Sequence, residues 1–221
     1  MQTILTFLTE LNQNNNREWF AEHKKQYEDA RAHFMQIVDI LILKIKQFDS
    51  SVDVGSAKEC VFRIYKDTRF SKDKLPYKTN MGAYISKGGR KSPYAGYYVH
   101  IENDMSFAGG GIYCPDKDVL KSVREDIADD PSAMREILAK PEFQQIFPNL
   151  YGETLKTAPR GFDKNHPAVD LLRYKSYTVV QNLSNDSLLS GNFLETVLDV
   201  FQTQKPLNDY LNDIIEKSRS K

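Results

Sequence analysis

The side chains able to do chemistry crowd into one stretch, VFRIYKDTRFSKDKLPYKTNMGAYIS at residues 61–86. Arg63 and Arg69 carry planar guanidinium forks that match phosphate or carboxylate bidentately, whereas Lys72, Lys74 and Lys78 would act as point charges. From Lys58 to Lys91, ten cationic residues face three acids (Glu59, Asp67, Asp73), a local balance of +7 in a chain of formal charge +0. Concentrated positive charge on an ordered element favours an anionic partner. The alternative is a solvated loop whose cations pair with acidic helices, and residues 116–136 do hold seven acids against four bases. Phe70, Pro76 and Tyr77 look like apolar anchors that order the loop, and ordered cationic loops are more often binding elements.

A second group lies downstream. In YYVHIEN, His100 and Glu102 share one strand face with Tyr98. His100 could serve as a general acid/base, with Asp67 as its partner. A His-x-Glu pair could also ligate a metal, but no third ligand is identifiable from spacing, so no metal or cofactor is assigned. Asp67 stands between Lys66 and Arg69, which favours its ionised form and a role in arranging cations more than in catalysis. Gly109-Gly110-Gly111 fits neither phosphate-binding glycine fingerprint, and a bulge or close packing is the preferred reading. Cys60 and Cys114 lack a neighbouring histidine and read as small packed residues with reduced thiols. Tyr65, Phe70, Tyr77, Tyr84 and Tyr98 interleave with the cations as a nucleic-acid stacking platform would. The neutral whole-chain charge keeps nucleic acid behind a small anion or nucleotide as partner.

These residues need a scaffold. Ile4, Phe7, Leu8 and Leu11 mark a short amphipathic helix. Asn15 and Glu18 stand in capping-box spacing before a second helix. Its stripe of Phe20, Tyr27, Phe34, Leu41 and Phe48 predicts one long helix over about 17–48. Strands are expected near 60–67, 80–86, 96–102 and 105–113, with another at 177–181. In the first, Phe62 and Ile64 should face the core, opposite Arg63, Tyr65 and Asp67. Asp116 caps a helix to about 128, Pro131 and Pro167 open others, and two helices near 186–202 and 206–217 finish the chain. The expected fold is α+β: one domain over 1–221, with a central antiparallel sheet of about four to five strands. The long N-terminal helix and the C-terminal helices should pack on it.

Hydrophobic residues at 40% and charged residues at 27% are ordinary for a globular protein with a sizeable core. The N-terminus lacks a basic, then apolar, export pattern, and the run 37–43 is too short to span a bilayer. A cytoplasmic protein with no membrane partner is expected.

NNNREWFAEHKKQYEDAR, FRIYKDTRFSKDKLPYKTNMGAYIS, YYVHIEN followed by FAGGGIYCP, and LKTAPRGFDKNHPAVDLLRYKSY together resemble the family labelled domain of unknown function 2461, which is spread through bacteria and some fungi. The resemblance covers about residues 3–200. It implies a single α+β domain and points to Arg63, Asp67, Arg69, Asp73, Lys74, Tyr77 and Lys78, without assigning them roles. The preferred reading is an anion-binding protein whose phosphate-bearing ligand is held by Arg63, Arg69, Lys74 and Lys78, positioned by Tyr98 and approached by Arg160. The alternatives are an enzyme, with phosphoester hydrolysis as one possible reaction and Asp67 and His100 as acid and base, and a module docking an acidic protein.

Overall fold

The computed structural model describes residues 1–67, 69 and 73–219. The expectations for Phe70 and Lys72 lie outside the described residues. The chain divides into two compact units. The first comprises Met1–Arg90, Tyr98–Ala108 and Asn182–Leu198; the second comprises Lys91–Tyr97, Gly109–Gln181 and Asp199–Lys221.

A four-stranded antiparallel sheet in the order β1-β2-β3-β4 gives the fold its α+β class, with β1 at Met81–Ile85, β2 at Gly96–Ile101, β3 at Ser106–Ile112 and β4 at Tyr177–Leu183. Alternation along β2 follows the sequence pattern. Tyr97, Val99 and Ile101 are wholly buried, while Tyr98, His100 and Glu102 on the other face are half-buried.

In the first unit, α1 (Gln2–Gln13) buries Ile4, Leu5, Phe7, Leu8 and Leu11. The expected helix over 17–48 is interrupted. It forms α2 (Arg17–Glu22) and α3 (Lys24–Phe48), broken at His23, whose φ of −101° and ψ of 18° leave the helical region. The His23 ring lies flat on Trp19, with centroids 4.0 Å apart, and its Nδ1 sits 2.8 Å from the Trp19 carbonyl. Downstream the stripe is as expected: Ala30, Phe34, Val38, Leu41, Ile42 and Ile45 are buried, and α1 and β1 pack on α3. Asn16, not Asn15, caps α2 by accepting from the Trp19 amide at 2.9 Å.

The segment 60–67 is not a strand of the sheet. Its first residue ends α4 (Ala57–Cys60), and the backbone that follows joins β1 at a Val61–Ala83 bridge and by a Phe62 N–H donated to Gly82 at 2.9 Å. It then turns to pair with 76–78, where Lys66 N–H donates to Pro76 and Lys78 N–H to Ile64. Pro76 has no N–H to extend that ladder, so pairing stays at an isolated Tyr65–Tyr77 bridge. Strict alternation fails accordingly. Ile64 is buried, but Phe62 is 39% exposed.

The second unit holds α5 (Lys117–Asp129, capped by Asp116), α6 (Ser132–Ala139), α7 (Pro141–Ile146) and α8 (Val169–Leu172). Its glycine triplet is a packing device. A Cβ on Gly109, Gly110 or Gly111 would collide with the carbonyls of Val179, Gly96 and Tyr177 respectively, so β3 needs bare backbone between its neighbours. The chain ends in α9 (Asn185–Leu189) and α10 (Phe193–Arg219). The latter runs through Pro206, where a break is expected. Inside the second unit α10 buries amides against the start of β2: Gln204 donates to the Gly96 carbonyl at 3.0 Å, and Asn212 exchanges hydrogen bonds with the Ala95 backbone. Cys60 and Cys114 are free thiols.

Candidate functional site

The chemistry-bearing groups of the first unit meet on the half-buried face of β2. Tyr98, His100 and Glu102 project from alternate positions, and their polar atoms form a continuous series. The Tyr98 Oη lies 3.1 Å from His100 Nδ1, and His100 Nε2 lies 3.0 Å from Glu102 Oε2. Thr79 donates its hydroxyl to Glu102 Oε1 at 2.6 Å. The backbone of Glu102 is fixed as well. Its N–H donates to Ser106 Oγ at 2.9 Å, and that hydroxyl donates to the Glu102 carbonyl at 2.7 Å. Met105 N–H closes the turn onto Glu102, which makes Phe107 the cross-strand neighbour of His100. The two rings stack at 4.6 Å and 10°. Gly82 completes the arrangement, since a side chain there would strike the Tyr98 hydroxyl.

Burial pushes the His100 imidazole below its ordinary 6.5, outweighing the upward pull of Glu102, and Lys78 adds to the depression. The ring is therefore neutral near pH 7. Because the Glu102 carboxylate only accepts, Nε2 carries the hydrogen, Nδ1 is an acceptor and Tyr98 donates its O–H to it.

The cations sort into two kinds. Arg69 is neutralised by Asp67, through Nη2 at 2.6 Å and Nε at 2.9 Å. That fork holds the Asp67 carboxyl down at about 2, from an ordinary 3.8. Lys66 reaches both oxygens of Asp73 at 2.7 Å. Lys78 differs. Its Nζ lies 5.6 Å from the Phe62 ring centroid, and Phe62 meets Tyr98 edge-on at 6.3 Å. Burial first, and then the charge of Arg63, lower the Lys78 pKa. Among the described residues neither Arg63 nor Lys78 forms an ion pair with a carboxylate.

The loop limb carrying Lys78 is held firmly. Tyr77 stacks on Phe20 at 3.9 Å and 12°, and the Asn15 amide brackets its backbone, donating to Tyr77 O and accepting from Tyr77 N. The apolar anchoring expected of Tyr77 is thus present.

These contacts link Lys78 through Phe62 to Tyr98 and His100, and the exposed Arg63 acts on Lys78 through its charge. The Asp67 carboxylate is engaged by Arg69, and both ring nitrogens of His100 are engaged by Tyr98 and Glu102. Lys74 is exposed on the 73–79 limb. Arg160 is exposed in a turn of the second unit. Thr79, Ser106 and Phe107 are absent from the sequence-based site. Phe107 was accessible in principle, because a tight turn over 102–105 makes it the residue opposite His100. Among the described residues no cluster of three His, Cys, Asp or Glu is placed to hold a metal ion, and no helix is long and apolar enough to cross a membrane.

A family model described as a conserved hypothetical protein, DUF2461, matches residues 3–210, and the chain belongs to that family. No curated protein and no solved structure matches the chain.

Proposed function

We propose that this DUF2461 member binds an anionic, phosphate-bearing ligand on the first unit, held by Arg63 and Lys78 beside Tyr98, with Arg69 and Lys74 on the flanking loop. One observation carries the reading. Lys78 is half-buried and pressed by a second cation, Arg63, while neither has a carboxylate partner among the described residues. In the same segment Arg69 and Lys66 are neutralised by Asp67 and Asp73. The charge of Arg63 disfavours the charged form of Lys78, and an anion bound beside them offsets that repulsion. The free thiols of Cys60 and Cys114 favour a reducing, cytoplasmic setting.

The Tyr98–His100–Glu102 series supports a second reading, an enzyme acting on the same ligand. His100 would then work with Glu102 in place of Asp67. A carboxyl held at about 2 is a weak proton acceptor at neutral pH.

The test is thermal unfolding at low salt with inorganic phosphate, ADP or a short single-stranded oligonucleotide. A ligand at 100 times its dissociation constant should add about 2.7 kcal/mol. Paired Arg63→Ala and Lys78→Met replacements should remove the ligand-dependent shift while the protein stays folded. Salt should weaken the response, because such contacts are screened over about 8 Å at physiological ionic strength. A wild-type transition that no anion moves would overturn the reading and leave the basic segment as a docking surface for an acidic protein.

A further inference from the structure

Tyr98 has its hydroxyl engaged before an anion arrives. Its one O–H is given to His100 Nδ1, because Nε2–H is committed to Glu102. For Tyr98 to donate to an anion its proton must turn outward, which leaves Nδ1 facing the phenol oxygen without a hydrogen between them. A half-buried polar contact of that kind is costly, and a proton arriving on Nδ1 repairs it.

The geometry points to a proton relay: Tyr98, His100 and Glu102 take up one proton for each anion bound, and this makes the site selective for dianions, the terminal phosphate class, over monoanionic diesters. The inference rests on the proposed anion site. In the balanced step, an incoming dianion accepts the Tyr98 O–H as a hydrogen bond. A proton from solvent or buffer then binds His100 Nδ1, which donates to the Tyr98 oxygen. The donor acid gives up that proton and leaves as its conjugate base, the new bond is His100 Nδ1–H, and no bond within the protein is broken.

Charge accounts for the selectivity. Lys78 and Arg63 supply two positive charges and Glu102 one negative charge, so the site with a neutral ring is +1. With the imidazolium it is +2, matching a dianion. Glu102 is already placed to stabilise the charged ring, with Thr79 holding its other oxygen. The groups facing His100 are Glu102 and Tyr98 on β2, the Phe107 ring on β3, and Lys78, whose positive field opposes ring protonation until the ligand neutralises it. A monoanion cancels that field only in part and draws the proton less strongly.

Isothermal titration calorimetry with sulfate decides the matter, because sulfate is a dianion that does not titrate near neutral pH. Binding measured in Tris and in HEPES, whose ionisation heats differ, reports proton uptake. We expect about one proton per sulfate near pH 7.5. While the free ring is neutral and the bound ring charged, affinity should fall about tenfold per pH unit. Dimethyl phosphate, a monoanion, should bind at least about tenfold more weakly, which corresponds to a ligand-induced shift of one pKa unit less on His100. His100→Gln and Tyr98→Phe should each abolish proton uptake. Should either variant fail to fold, the wild type suffices, since the His100 ring-carbon NMR resonance, one of four histidines, must move to the charged position as sulfate is added. Sulfate binding without proton uptake, or with an unmoved His100 resonance, overturns the relay and leaves the anion site standing. Absence of binding by either anion overturns both.

Discussion

Glu102 and Asp67 are carboxylates of the same unit, each paired with a nitrogen base at hydrogen-bond distance, and their surroundings make them unlike. The side chains of His100 and Glu102 are 12% and 21% exposed, whereas those of Arg69 and Asp67 are 77% and 43% exposed. Water can replace either partner of the exposed pair, so breaking it orphans nothing, and surface pairs of this kind contribute little to stability. The enclosed pair has no such substitute. Glu102 is the shared acceptor for an imidazole N–H and a threonine hydroxyl, and a network of that kind is costly when partly satisfied. Proximity in sequence to the cations thus says little about which acid matters; enclosure decides.

The strongest way to break the comparison is Glu102→Ala. It leaves the His100 Nε2–H and the Thr79 hydroxyl without an acceptor, at about 1–3 kcal/mol for each buried orphan. We expect a loss of about 2–4 kcal/mol in urea unfolding at pH 7.5. The pH dependence sharpens the test. His100's folded pKa lies below its ordinary 6.5, so the fold favours the neutral ring. Its contribution is full above 6.5 and declines as pH falls from 6.5 through the folded value. Removing the carboxylate that partly offsets burial should enlarge that acid loss. Unaltered stability would mean that the β2 network holds nothing in place.

Lys78 provides a smaller contrast, because the fold works against it. A lysine with a lowered pKa is disfavoured in its charged form, so the unfolded chain binds more protons just below the ordinary 10.5. Stability should therefore rise with pH through that window. Lys78→Met should flatten the rise and raise the melting temperature slightly at pH 7, a small effect because the ammonium is partly exposed. Differential scanning fluorimetry between pH 7 and 10.5 measures both. Destabilisation by this substitution would show that the contact of the ammonium with the Phe62 ring outweighs burial and the charge of Arg63, and the like-charge argument fails.

Much of this arrangement can be read from residue order. Ile4, Phe7, Leu8 and Leu11 fall on one stripe, and Tyr97, Val99 and Ile101 alternate with Tyr98, His100 and Glu102, because burial on one face leaves a period in the chain. What escapes the period is set by contacts distant in sequence or by a single backbone feature. The helix breaks at His23, whose ring stacks on Trp19, and Asn15, which reads as a helix cap, instead brackets Tyr77. The segment 61–67 has a strand's composition but pairs with 76–78 across a proline. Helix α10 continues through Pro206 because packing outweighs propensity. In the site, His100 and Glu102 were identifiable as a pair. The priority given to Asp67 followed charge density along the chain, which carries no information about enclosure.

Asp67→Asn should have the smallest effect and is the most direct check on the exposed half of the comparison. The Asp67 carboxyl is held at about 2 against an ordinary 3.8, with the Arg69 side-chain hydrogen bond as the largest cause. A depressed carboxyl contributes stability above the unfolded value and loses it as pH falls through the folded one, so any contribution fades between 3.8 and about 2. At neutral pH the pair is open to water, and the asparagine variant should melt close to wild type, with the small remaining difference vanishing in high salt. The substitution also releases Arg69 from its counter-ion. If Arg69 flanks the anion site, sulfate should bind Asp67→Asn more tightly than wild type. A large loss of stability at pH 7 would mean that Asp67 is enclosed in solution and that the two carboxylates are alike after all.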